Sequence, residues 1–481
     1  MCYPWLCPEY NYIQYYDRKA LEPFLKKWTD KSAPLITIAH FGDSHVQPDV
    51  YPGEIRKRLQ QVKGAAGFGM IFPFSTAKTY SMVDYKSIHT GIWSNSKSIE
   101  HHPSLPLGIS GATSQTTDSN ASFTIIFHDH VPKDYRKLKI FYKQYRNSYA
   151  MKISSGGRDT LIQPDSSGIN RLPYIEIALK NIGNTIKVQL LKTKNDQKEF
   201  EFYGMSLESV VPKGVLLHCM GIGGAEYGSI LWESLFDEQL PGIAPDLAIL
   251  DFGTNDFLYN NKIPDDLEGK IIQIIKKVRT DAPHCTVLLT STMDMNHRGQ
   301  NISAGLKFSK LIRKISKEQN CPFYDWYWVS GGPKKMEVWH DNGLAQNDNI
   351  HLKSKGSILK GQLLADAIIN TMAMMDTPEK PDSLIVTVPE INDTISDNTK
   401  ILGHSEISER LSKSGYIIYK VKSGENLGAI ASAHHVTAAS IKKLNGMKSS
   451  KIIAGKMLKI PSKARTSNGK PKAKHKHRRR K

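Results

Sequence analysis

The chain has 481 residues, 40% of them hydrophobic and 23% charged, which allows two to four domains and is ordinary for a water-soluble protein. No stretch approaches the roughly 18 consecutive apolar residues that a membrane span needs. The net charge of +19 is concentrated at one end: residues 415–461 carry +7 and residues 462–481 carry +10, leaving about +2 for the other 414 and no nucleic-acid signature in the main body.

The opening segment, residues 1–33, reads as a helical lead-in. Its start, "MCYPWLCPEYNYIQYYDRKALEPF", lacks a basic region followed by a 7–15-residue apolar core, so it does not read as a signal peptide. The five cysteines show neither zinc spacing nor an even disulfide framework, and Cys219 and Cys285 lie in apolar runs where a small buried hydrophobe is expected.

Residues 34–84 begin an alternating α/β pattern. A strand from Leu35 to Phe41 leads into Gly42-Asp43-Ser44-His45, followed by a helical pattern, "VYPGEIRKRLQQV", and a glycine-rich turn, "KGAAGFGMIFPF". From 85 to 212 the texture changes to short alternating runs such as "ASFTIIFHDHV" and "NTIKVQLLKT", broken by Gly, Asn and Asp every 8–12 residues, as in an inserted all-β sandwich. Residues 213–375 return to α/β. Strands are expected in "GVLLHCMGIGG", "DLAILDFGTND", "CTVLLTST" and "CPFYDWYWV", with helices near 226–238, 264–280, 303–319 and 354–375. Residues 376–414 lack periodicity and read as a linker. A compact module follows at 415–461, and the basic tail 462–481 cannot bury a core.

Ser44 sits at the carboxyl end of a strand, where open α/β sheets bind ligands. Alone it would suit a helix cap. A nucleophilic serine needs a base, and "LAQNDNIHLKSKG" offers His351 with Asp348 three residues ahead, spaced to hold one ring nitrogen while the other faces the serine. Oxyanion donors are also required. Asn255 ends the strand of "LDFGTNDFL", and of the look-alike loops "GISGATS" (Gly111) and "GIGGAEYGS" (Gly224), only the second follows an α/β strand, which favours Gly224. Trp326, Trp328 and Trp339, near the last block, suit either a sugar-stacking platform or core packing. The histidine pairs lack supporting metal ligands.

These blocks, Gly42-Asp43-Ser44-His45, Gly224, Gly253-Thr254-Asn255-Asp256 and Asp348-Asn349-Ile350-His351, resemble the four ordered blocks of the SGNH (GDSL-type) hydrolases. The resemblance implies a flavodoxin-like three-layer α/β/α fold without a cofactor or metal. Ser44 would be the nucleophile, His351 the base and Asp348 its orienting carboxylate, with Ser44, Gly224 and Asn255 forming the oxyanion hole. "GDSH", the glycine-rich turn and the β insert resemble the peptidoglycan O-acetylesterase branch, whose insert is carbohydrate-binding-module-like. "GIGGA" departs from the asparagine that relatives place before the second glycine, leaving Gly223 or Gly224 open as the donor.

Residues 416–461 resemble a βααβ LysM module, with Tyr419, Val421, Gly424, Leu427, Ile430, Ala431, Leu444, Asn445, Gly455, Leu458, Ile460 and Pro461 on its pattern. That implies binding to peptidoglycan or another N-acetylglucosamine glycan, and a place in the cell envelope. The basic tail suits an anionic polymer. The expected activity is O-acetyl removal from a cell-wall glycan. The alternatives are deacetylation of, or acetyl transfer to, another polysaccharide, and non-catalytic glycan binding.

Overall fold

The computed structural model describes residues 3–32, 34–164, 172–389, 416–421, 426–433, 436–447, 449–452 and 457–461. Two compact units divide the chain, Met1–Val386 and Thr387–Lys481. Gly424, Gly455, most of the expected linker and the whole basic tail lie outside the described residues.

The first unit is built on a five-stranded parallel sheet in the spatial order Gly214–Gly221, Leu35–Gly42, Leu247–Asp251, Thr286–Thr290, Phe323–Tyr324. Numbered along the chain this is 2-1-3-4-5, the flavodoxin-like order, whose switch point falls between the first and third strands. Nearly every residue of these strands is buried. That is why they read as continuous apolar runs: a parallel sheet is covered on both faces. Adjacent side chains of the first strand show the two covers. His40 meets Tyr51 of the helix Val50–Lys63, whereas Phe41 meets Phe236 of the helix Phe236–Ile243. Since neighbouring strand residues point to opposite faces, these helices lie in opposite layers. Ser354–Met375 packs with the first, and Leu267–Asp281 with the second.

Between the first two parallel strands the chain forms two antiparallel sheets. One runs Ile175–Ala178, Lys137–Tyr142, Phe200–Glu208, Ala112–Thr116, Ser94–Lys97; the other runs Tyr85–Thr90, Ser122–Phe127, Thr185–Leu191, Ala150–Ser155, Arg158–Ile162. Phe123 and Phe202 meet between them with ring centroids 4.9 Å apart. The glycine-rich stretch expected as a turn contains a strand, Gly67–Ile71, which pairs with Phe200–Glu208. Its glycines carry φ of +144° and +95°, and a Cβ at Gly69 would fall 2.2 Å from the Leu217 carbonyl oxygen. The glycines therefore let this strand lie directly against Gly214–Gly221.

Three other expectations need correction. The helix expected near 226–238 is two short helices, Gly228–Trp232 and Phe236–Ile243, because Leu235 N–H bonds to the Leu107 carbonyl of the inserted region. Only Phe323–Tyr324 of "CPFYDWYWV" is strand, and Trp326–Val329 turns into a helix. The stretch 376–386, expected as linker, packs on the first unit: Leu384 pairs with Tyr15, and buried Val386 donates its N–H to Gln14 Oε1 at 2.9 Å.

The second unit contains an antiparallel pair, Tyr416–Lys420 with Met457–Pro461, and the helices Leu427–Ala433 and Ala438–Leu444. Val421, Leu427, Ile430, Ala431, Ile441, Leu458 and Ile460 form its core. Asn445 joins the second helix to the last strand, donating to the Lys459 carbonyl at 2.6 Å and accepting from Lys459 N–H at 2.7 Å. No described helix is long and apolar enough to cross a membrane.

Candidate active site

At the switch point three strands end level. Gly42 is in register with Gly221 on one side and Asp251 on the other, so the loops that follow leave side by side. Gly42 turns sharply: a Cβ there would lie 2.3 Å from Val46 Cγ2 and 2.8 Å from the Asp251 carbonyl oxygen. The next turn is closed by Val46 and Gln47 N–H groups, both donating to the Asp43 carbonyl at 3.0 Å, and it lifts Ser44 to the rim. Ser44 caps no helix; Asp49 holds that place before Val50–Lys63.

The loop before the last helix meets this turn. Its shape depends on Asn349 at φ +54°, on Asn296 N–H donating to the Asn349 carbonyl at 3.1 Å, and on Gln346 N–H donating to the His351 carbonyl at 2.8 Å. Ser44 Oγ lies 2.8 Å from His351 Nε2, and His351 Nδ1 lies 2.6 Å from Asp348 Oδ2. The other Asp348 oxygen accepts the N–H groups of Ile350 and His351, each at 3.0 Å. Burial pushes the Asp348 carboxyl up, but these hydrogen bonds outweigh it and hold the group below its ordinary value. A carboxylate so held accepts Nδ1–H and leaves the Nε2 lone pair facing the Ser44 hydroxyl. That arrangement can take a proton from serine.

N–H donors follow the two neighbouring strand ends. Gly223 N–H is spent on Gln47 Oε1 at 2.5 Å. Gly224, exposed and at φ +89°, has no acceptor for its N–H among the described residues, and neither has Ser44. This separates the two glycines left open above. Asn255 donates one amide hydrogen to the Ala225 carbonyl at 2.8 Å, and an amide has two. Its neighbour Asp256 accepts Tyr227 N–H through both oxygens, at 3.3 and 3.2 Å. Burial raises Asp256 to about 7. Asn255 and Asp256 thus pin the loop that presents Gly224.

Several contributors lay outside the sequence expectation. Gln47, three residues past Ser44, also holds the Tyr80 carbonyl at 2.8 Å and so ties three loops together. Lys360, the buried one of two lysines in the helix Ser354–Met375, lies 3.9 Å from Asp251. Tyr51, His40 and Thr290 side chains also bond to that carboxylate. An unpaired charge in an apolar stripe was the available signal. Trp326, Trp328 and Trp339 are all buried, at 1%, 2% and 1% exposure, and form no sugar platform. No cluster of metal-ligating side chains occurs among the described residues.

A GDSL-like lipase/acylhydrolase family model matches residues 199–357, and a LysM domain model matches residues 419–461. The chain carries a GDSL-like acylhydrolase domain and a LysM domain. The acylhydrolase match starts after the Ser44 block, which the fold returns to the same rim. Among solved structures, a peptidoglycan O-acetylesterase is 20% identical with a TM-score of 0.59, over 74% of this chain and 95% of that one. At that identity the likeness establishes a shared fold. A lipase/acylhydrolase from Enterococcus faecalis is 20% identical (TM-score 0.27, 32% of this chain, 76% of that one). An acetylxylan esterase variant from Geobacillus stearothermophilus is 17% identical (TM-score 0.26, 33% and 73%). No curated protein matches the chain.

Proposed function

We propose that this acylhydrolase is a serine esterase that removes O-acetyl groups from a cell-wall glycan, peptidoglycan first among them, and that it works in the cell envelope. Ser44 attacks the acetyl carbonyl while His351 takes its proton. The N–H groups of Ser44 and Gly224 and the free amide hydrogen of Asn255 receive the oxyanion. The sugar hydroxyl leaves with the proton from His351, and water clears the acetyl-enzyme through the same base. The observation that carries this reading is the continuous relay from Asp348 through His351 to Ser44, at a rim where the Ser44 and Gly224 N–H groups have no acceptor among the described residues.

Two features support a glycan as the alcohol partner. The LysM domain supplies affinity for N-acetylglucosamine polymers, and tethering raises the local enzyme concentration on an insoluble substrate. The inserted β region also reaches the rim. Ile99 stands 3.5 Å from where a Gly224 Cβ would lie, and the His101 ring meets Trp232 at a tilt with centroids 4.5 Å apart; Tyr80, just before the insert, is 47% exposed beside Gly223. We assign this wall, and with it the insert, to holding the sugar.

The test is acetate release from O-acetylated peptidoglycan, acetylated xylan and an aryl acetate by the full chain and its Ser44→Ala variant. Peptidoglycan is expected to be the better polymer, and Ser44→Ala is expected to lose about 10⁴-fold or more in kcat/KM on all three. Equal, slow release by both proteins would refute the enzyme, and a preference for xylan would refute the substrate.

A further inference from the structure

His45 follows Ser44 and faces two acceptors. Its Nδ1 lies 2.9 Å from Asp43 Oδ1 and its Nε2 lies 3.1 Å from the Ile350 carbonyl oxygen. A neutral imidazole has one N–H and one lone pair, so it could satisfy one contact only and would set its lone pair against oxygen at the other. The imidazolium donates to both. Burial pushes His45 down, yet the charge of Asp43 and its hydrogen bond prevail and raise the ring above its ordinary value. Asp43 is correspondingly lowered, against its own burial, by His45. The His45 ring also stacks on His351, with centroids 5.1 Å apart and planes 22° from parallel.

We propose that His45 is a positioning residue held as an imidazolium, which ties the Ser44 turn to the His351 loop through the Ile350 carbonyl and sets a fixed positive charge against the face of the His351 ring. This rests on the Ser44–His351 reading above. In the first step the Ser44 proton passes to His351 Nε2 as the Oγ–C bond forms and the carbonyl electron pair moves to oxygen. In the next, that proton goes to the departing sugar oxygen as the C–O bond breaks. His45 gains and loses nothing in the cycle. Its charge lies against the face of the ring that carries the serine proton, while Asp348 holds the ring's other nitrogen.

The charged groups around His45 are consistent with a retained proton. Asp43 comes from its own turn and Asp348 from the base loop. Lys360, from the helix Ser354–Met375, opposes the charge but lies against Asp251 at the end of its strand. Asp256 follows on the next loop, its carboxyl raised in part by Asp43.

Two measurements test this. In the unaltered protein, ¹⁵N NMR of His45 at pH 7 is expected to show both ring nitrogens protonated; a neutral ring would overturn the proposal. In His45→Gln, which keeps a donor but not the charge, the acidic limb of kcat/KM is expected to move up by roughly 0.5–2 pH units, the effect of removing a like charge about 5 Å away. A folded variant with a lower rate and an unmoved limb would overturn it as well. Hydrolysis surviving in Ser44→Ala would instead defeat the Ser44 reading, and the NMR result on His45 would still stand.

Discussion

Gly108-Ile109-Ser110-Gly111-Ala112 and Gly221-Ile222-Gly223-Gly224-Ala225 are nearly the same five letters, and the two loops touch. Gly111 is buried, donates its N–H to the Gly108 carbonyl at 2.9 Å, and would push a Cβ to 2.7 Å from Ile222 Cγ1. Gly224 is exposed, leaves its N–H without a chain acceptor, and would place a Cβ no nearer than 3.5 Å to anything. Both need positive φ, +77° and +89°. One glycine closes a structure and the other leaves a donor open. The difference comes from what precedes each loop: a parallel strand ends before Gly224, at the rim where its neighbours also end.

Breaking the open side should have the largest effect. Asn255→Ala removes both the clamp on Ala225 and the oxyanion donor proposed for that side chain, and is expected to lower kcat about 100- to 1000-fold. An unchanged kcat on an aryl acetate would mean that Asn255 serves only the loop. Next come the glycines themselves. Gly111→Ala combines overpacking with left-handed strain and should cost about 2–4 kcal/mol of stability, seen as a lower unfolding midpoint, with turnover per folded molecule nearly kept. Gly224→Ala should cost about 1–2 kcal/mol, from strain alone, yet lose more turnover. If the two variants swapped these profiles, the contrast between the loops would be wrong.

The last comparison concerns Asp256, which anchors the open loop. Its carboxyl is raised by burial from 3.8 to about 7, so between those values the folded state holds a proton that the unfolded state has released. Stability should therefore fall as pH rises from about 4 to about 7. Asp256→Asn removes that titration, and urea midpoints measured across the interval should become flatter. An equal slope in both proteins would assign the pH dependence elsewhere.

Much of this arrangement was legible from the sequence because buried parallel strands are apolar runs and their ends are abrupt. Ser44, Gly224 and Asn255 each follow such an end, and Asp348 and His351 share one polar loop before the last helix. The LysM pattern was legible for another reason: its core residues lie within about forty positions of one another, so local periodicity carries it. The misses all depend on partners distant in the chain. Gly67–Ile71 is a strand only because Phe200–Glu208 lies beside it. The 226–238 helix breaks where Leu107 takes the Leu235 N–H. His45 looked like a motif letter, and its two acceptors become apparent only once Ile350 is placed behind it.

The cover on the last parallel strand has a practical consequence. Gln14 lies antiparallel to Phe323, Tyr15 pairs with Leu384, and the Gln14 amide oxygen holds Val386. An edge that would otherwise invite strand addition from a second molecule is occupied by segments from both flanks of the hydrolase. An expression fragment trimmed at residue 375, where the helical pattern stops, would strip Leu384 and Val386 from Tyr15 and Gln14, leave that outer segment unpaired and tend to self-associate. One ending just beyond Val386 should stay monodisperse.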